Sequence, residues 1–67
     1  MLRYKSDILE LLKEHGYSTY RIRKENILSQ GTITKINQGI MIGTDNIDRI
    51  CTILKCQVSD IIEWYEE

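Results

Sequence analysis

The sequence predicts an all-α fold: one domain over residues 1–67, built from five short helices, with the second and third joined by a tight turn. Three observations carry that expectation. Apolar residues recur at helical spacing along most of the chain, and the breaks between the recurrences hold glycine, serine or threonine. There is no Pro or Phe, and the 42% hydrophobic share is mostly Ile and Leu. Charged residues make up 28%, which suits a packed helical domain rather than a disordered chain. At 67 residues a single core is only marginally sufficient.

Helix one is expected over about Arg3 to His15, where Tyr4, Ile8, Leu11, Leu12 and His15 fall on one stripe. Gly16 ends it as a C-cap, and His15 sits where the helix dipole favours a donor. Ser18 caps helix two, about Thr19 to Asn26, anchored by Ile22. Asn26, Ile27 and Leu28 form the connection. Ser29 caps helix three, Gln30 to Asn37, whose Ile33 and Ile36 share a face, and Gly39 stops it. Two short helices at an angle about a tight turn are the grammar of a helix-turn-helix.

Ile42 is expected to plug the core from the loop that follows. Thr44 caps helix four, with Asp45 in its first turn and Ile47, Ile50, Cys51 and Leu54 as its buried stripe. Lys55 to Gln57 make a turn. Helix five, about Val58 to Tyr65, buries Val58, Ile61, Ile62 and Tyr65, with Asp60 near its start and Glu66 and Glu67 frayed. No strand alternation, repeat or linker interrupts this reading.

Helix three is most informative on its polar side. At about 100° per residue, Gly31, Thr34, Lys35 and Gln38 cluster opposite Ile33 and Ile36, with Gln30 and Asn37 on a flank. The face carries no carboxylate, whereas a merely solvated helix usually mixes both signs. Gln can pair bidentately with adenine, Thr can touch a thymine methyl, and Lys can reach guanine or phosphate. Gly31 permits close backbone approach at a cost of ~1 kcal/mol in helix propensity.

Charge distribution agrees. The formal net charge of −1 alone argues mildly against a polyanionic partner. Residues 1–18 are neutral, however. Residues 19–39 carry Arg21, Arg23, Lys24 and Lys35 against Glu25, a local +3, and residues 40–67 carry two cations against six carboxylates, a local −4. Such a dipole orients approach to a polyanion.

Other chemistry is poorly supported. There is no Ser/His/Asp set, phosphate-cradling glycine loop or paired carboxylate cleft, so an enzyme is not expected. Nor is a cofactor, metal or small-molecule ligand implied. Cys51 and Cys56 stand five apart, a step that points them in different directions on one helix, and they read as buried, reduced, inert thiols. No apolar run reaches the ~18 residues of a membrane span. Arg3, Lys5 and Asp7 interrupt any leader-like start, so a cytoplasmic location without membrane contact is expected.

Ile22-Arg-Lys-Glu-Asn-Ile-Leu-Ser-Gln-Gly-Thr-Ile-Thr-Lys-Ile-Asn-Gln-Gly39 resembles the helix-turn-helix of the Cro and lambda-repressor class. The tail, with Ile50, Cys51, Leu54, Cys56, Asp60, Ile61 and Glu63, is similar to the ending of small bacterial and phage regulators of that class. Two departures stand out. The class usually has a small residue at Arg23 and glycine at Ile27, so Arg23 must snorkel and Asn26 is expected to take the left-handed conformation instead. After Gly39 the class often places polar or basic residues, where this chain has Ile40 and Met41.

The resemblance implies a lambda-repressor-like domain that binds double-stranded DNA as a small transcriptional regulator, a repressor in the first instance, with the helix at about 29–37 in the major groove. The DNA-facing set is expected to be Thr19, Arg21, Ser29, Gln30, Gly31, Thr32, Thr34, Lys35 and Gln38. One recognition helix reads few base pairs, so a homodimer is expected. Its contact is assigned to Ile53, Ile61, Trp64 and Tyr65, because helix five carries more apolar surface than one face can bury. The alternative is a helix-turn-helix-shaped module that binds a protein, as an antitoxin or antirepressor does, with weak or no DNA binding.

Overall fold

The computed structural model describes residues 1–66. In chain order it has strand β1 (Leu2–Tyr4), helices α1 (Ile8–Glu14), α2 (Thr19–Lys24), α3 (Gln30–Asn37) and α4 (Thr44–Leu54), a 3₁₀ turn (Val58–Asp60) and strand β2 (Ile62–Trp64). The four α-helices follow the expected order, and α3 has the expected bounds. The two ends of the chain differ, and the fold is mainly helical rather than all-α.

The expected first helix loses its first turn. Asp7 caps α1 instead, its carboxylate accepting from the Glu10 N–H at 3.2 Å. Upstream, β1 pairs antiparallel with β2, matching Leu2 with Trp64, Arg3 with Glu63 and Tyr4 with Ile62. The expected fifth helix shrinks to the 3₁₀ turn, held where the Asp60 carboxylate accepts from the Gln57 N–H at 2.9 Å. Ile62 and Trp64 are β-branched and aromatic, and with a partner strand available the segment Ile62–Trp64 extends, while Ile61 stays helical and closes the turn. Glu67, expected to fray, lies outside the described residues.

Opposed residues of an antiparallel pair share a face. One face of this ribbon therefore carries Leu2, Tyr4, Ile62 and Trp64, and the other carries the Arg3–Glu63 ion pair (2.7 Å) with Arg3 stacked over Tyr65. The apolar face is anchored at its inner end. Tyr4 and Ile62 are half-buried against the core, and the Tyr4 hydroxyl donates to the Ile40 carbonyl at 2.7 Å. Its outer end, Leu2 and Trp64, stands in solvent.

The core is a single cluster: Ile8 and Leu12 from α1, Ile22 from α2, Leu28 from the turn, Ile33 and Ile36 from α3, Ile42, Ile47 and Ile50 from the loop and α4, and Ile61. Leu54 is only half-buried, so Ile50 rather than Leu54 is the inner anchor of α4. Val58, expected inside, is exposed. Gly43 is the N-cap of α4, without a side-chain bond, and Thr44, expected there, is the first helical residue; Asp45 occupies the first turn as expected.

All four α-helices end the same way. A left-handed residue follows each, and the next N–H bonds back across six residues. The left-handed positions are Gly16, Asn26, Gly39 and Lys55. The closing bonds are Tyr17 to Leu12 (2.8 Å), Ile27 to Ile22 (2.9 Å), Ile40 to Lys35 (2.8 Å) and Cys56 to Cys51 (3.2 Å). Asn26, at φ 55°, takes the role expected of it. The fourth closure corrects the cysteine reading. The helix stops at Leu54, Lys55 turns left-handed, and Cys56 folds back on Cys51.

Candidate nucleic-acid interface

The helix-turn-helix is fixed from beneath and from outside. Ile22, Leu28, Ile33 and Ile36 are all buried, so α2, the turn and α3 share one apolar floor. From outside the motif, Arg49 of α4 donates to the Ile27 carbonyl at 2.7 Å. That contact satisfies a turn carbonyl and ties the turn to α4. Sequence reasoning counted Arg49 only as a charge.

The start of α3 is set by Ser29, whose Oγ accepts from the Thr32 N–H at 3.1 Å and meets the Thr32 hydroxyl at 2.9 Å. A cap of this kind contributes about 1 kcal/mol. Thr32, expected to face outward, is 9% exposed and lies with Ile33 and Ile36 on the inner side. It is four residues from Ile36 and shares its face. Its place is in the cap, not on the surface.

Gln30, Gly31, Thr34, Lys35 and Gln38 are exposed, as is Asn37. The Thr34 hydroxyl donates to the Gln30 carbonyl at 2.9 Å, and the Gln30 amide donates to Thr34 Oγ1 at 3.3 Å. These local bonds hold two adjacent polar tips in one orientation without burying either. An added Cβ at Gly31 would lie 3.9 Å from Ser29 Oγ, ordinary contact, so packing does not demand glycine there.

On α2, Ser18 caps the helix by accepting from the Arg21 N–H at 3.2 Å, which leaves Thr19 exposed as the first helical residue. Arg21 faces solvent but is tied down. It pairs with Glu25, donates to the Gly16 carbonyl at 3.0 Å and stacks 4.4 Å over the Tyr17 ring. The Glu25 hydrogen bond, followed by its charge, pushes the guanidinium further up. Arg21 therefore closes the α1–α2 corner. Among the described residues the ion pairs are Arg3–Glu63 and Arg21–Glu25, so Arg23, Lys24 and Lys35 remain unpaired cations. Arg23 is exposed, as the departure from a small residue required. With Thr19, the 73%-exposed Tyr20 and Lys24 it lines an open groove on the outer side of α2.

The motif therefore presents a carboxylate-free polar face on α3 that carries Lys35, and on α2 the cations Arg23 and Lys24, the latter 5.8 Å over the Tyr20 ring. Such a surface can offer hydrogen bonds to base edges and charge to phosphates.

The outer residues assigned to assembly separate. Trp64 is 68% exposed, Ile53 and Tyr65 are half-buried, and Ile61, at 1%, belongs to the core and offers no outward surface. No helix is long and apolar enough to cross a membrane among the described residues, and no group of three or more His, Cys, Asp or Glu among them could hold a metal ion. No curated protein and no solved structure gives a significant match to the chain. The family described as the Cro/C1-type HTH DNA-binding domain matches residues 7–67, nearly the whole sequence. The chain belongs to that DNA-binding family, as its helix-turn-helix and its regulator-like tail imply.

Proposed function

We propose that this protein is a sequence-specific double-stranded DNA-binding regulator of the cytoplasm, a repressor that occupies its site with α3 in the major groove. The observation that carries this reading is the exposed face of α3, where Gln30, Gly31, Thr34, Gln38 and the unpaired Lys35 stand without a carboxylate among them. Gln30 and Thr34 are the base readers, Lys35 reaches guanine or phosphate, and Gly31 lets the backbone approach. Thr19 and Ser29 meet phosphate at the two helix starts. Arg23 and Lys24 supply the backbone charge that the tied Arg21 does not, and Thr32 acts only through the cap.

The test is a duplex selected from a random library, titrated over a salt series. Gln30→Ala should cost ~1–3 kcal/mol on the selected duplex and little on random DNA. Lys35→Ala should weaken both and flatten the salt slope if it binds phosphate. Equal losses on both DNAs for Gln30→Ala would remove it from base reading. A binding curve insensitive to salt would favour the protein-interaction reading.

That second reading has one observation behind it: Met1, Leu2, Ile40, Val58 and Trp64 are large, apolar and exposed. The cross-strand pair Leu2–Trp64 is the most concentrated part of this surface. We assign it to a second copy of the chain rather than to a foreign partner, because specific affinity from so small a domain needs two recognition helices, ~34 Å apart on a two-fold site.

A further inference from the structure

The helix-end motif shared by the four α-helices brings the side chains at the two ends of its six-residue bond towards one another. At α1 and α2 the pairs are Leu12 with Tyr17 and Ile22 with Ile27. At α4 they are two thiols, Cys51 and Cys56, joined by a backbone bond of 3.2 Å across the left-handed Lys55. Both cysteines are free, half-buried and packed against the core. Cys56 lines a groove of about 240 Å³ together with Leu11, His15, Leu54, Asp60 and Ile61. A solute in that groove meets Cys56.

We propose that Cys51 and Cys56 form a two-electron thiol–disulfide pair, oxidised by a hydroperoxide that reaches Cys56 through this groove. Cys56 Sγ, as thiolate, attacks the peroxide oxygen. The O–O bond breaks, the leaving hydroxide takes up a proton as water, and Cys56 becomes a sulfenic acid. Cys51 Sγ then attacks Cys56 Sγ, the S–O bond breaks, and a second water leaves with the Cys51 proton. Two thiols and one hydrogen peroxide thus give one disulfide and two waters. The sulfur pair loses two electrons and the peroxide gains them.

The assignment of roles follows from surroundings. Burial, then the neighbouring Cys56, pushes the Cys51 thiol up, and it is Cys56 that the groove exposes to a solute. Geometry favours the ring. The backbone bond already closes this turn and the two thiols are hydrogen-bond neighbours, so the new bond joins side chains the fold holds near each other. Once formed, it fastens the last turn of α4 to the segment leading into β2 and Trp64.

The experiment uses the reduced full chain exposed to hydrogen peroxide. The expected result is loss of two hydrogens from the intact mass, loss of both thiols to iodoacetamide, a chain that stays unlinked to any other, and full recovery with dithiothreitol. In Cys51→Ser, Cys56 should stop at a sulfenic acid that dimedone traps. In Cys56→Ser, Cys51 should remain alkylatable under the same exposure. Two thiols still alkylatable in the oxidised wild type would overturn the proposal. So would a disulfide between chains, or Cys56 passing to a sulfinic acid while Cys51 stays free. Oxidation of Cys51 in Cys56→Ser at the wild-type rate would overturn the entry through Cys56.

Discussion

Gly31→Ala should move stability and DNA affinity in opposite directions. Gly31 is the second residue of α3, it is exposed, and its backbone is helical rather than left-handed. A Cβ there finds only ordinary contact, 3.9 Å from Ser29 Oγ. Alanine exceeds glycine by about 0.5–1 kcal/mol within a helix, chiefly through the freedom that glycine retains when unfolded. A chain of this length is stable by roughly 3–10 kcal/mol, so the gain is a visible fraction of the total. The thermal midpoint should rise by about 2–8 °C. In the proposed complex the added methyl would sit between the α3 backbone and the base edges. Affinity for a selected duplex should fall by ~1–3 kcal/mol while random duplex binding changes little. Circular-dichroism melting reads the first effect, and fluorescence anisotropy on the two duplexes reads the second. A lower midpoint would refute the helical placement of Gly31. An unchanged affinity for the selected duplex would refute its role in close approach.

Three further outcomes follow from packing. Ile50→Ala, at a 1%-exposed site, should cost about 2–5 kcal/mol, whereas Leu54→Ala, half-buried, should cost clearly less; equal losses in chemical denaturation would show that α4 is anchored differently. Lys55→Gly should stabilise by about 1 kcal/mol, because Lys55 holds φ 53° where a Cβ is penalised, and an unchanged or lower denaturation midpoint would deny that strain. Trp64→Ala should shift a dimer to monomer in sedimentation at micromolar concentration without lowering the thermal midpoint of the monomer, since Trp64 is 68% exposed; a wild-type monomer both free and on a half-site duplex would end the two-copy reading.

The legible parts of the sequence were those set by neighbours. Ser29 and Gly39 bracket α3 because cap and stop each act within one turn, and its bounds came out to the residue. Asn26 was legible as the left-handed position because Ile27 could not take it and asparagine tolerates it. The termini were not legible. Leu2-Arg3-Tyr4 and Ile62-Glu63-Trp64 each alternate with period two, yet three residues are too few to outweigh the helical match of Tyr4 with Ile8. Their pairing joins the two ends of the chain, and no local window contains both. The thiol contact was hidden for a related reason. It depends on a left-handed lysine, a conformation lysine does not advertise. Within the candidate site, Thr32 was misplaced because it came in with the DNA-facing set that the family resemblance implies, while its position four residues before Ile36 turns it inward.

The polar face of α3 is left available for the proposed DNA reading because other residues hold the helix. Eight residues that include a glycine and four β-branched side chains are too short and too poor in helix formers to be stable alone. Three groups hold the helix, none of them on that face. Ser29 and Thr32 satisfy the first turn, Ile33 and Ile36 bury its inner stripe, and Arg49 fixes the turn from α4. Gln30 and Thr34 bond only to each other's immediate surroundings, and Lys35 and Gln38 carry no ion pair or side-chain bond among the described residues. Substitutions on the outer face should therefore change which duplex is bound without unfolding the domain. Substitutions at Ser29, Ile33 or Arg49 should weaken every duplex together, by loosening the helix that presents the face.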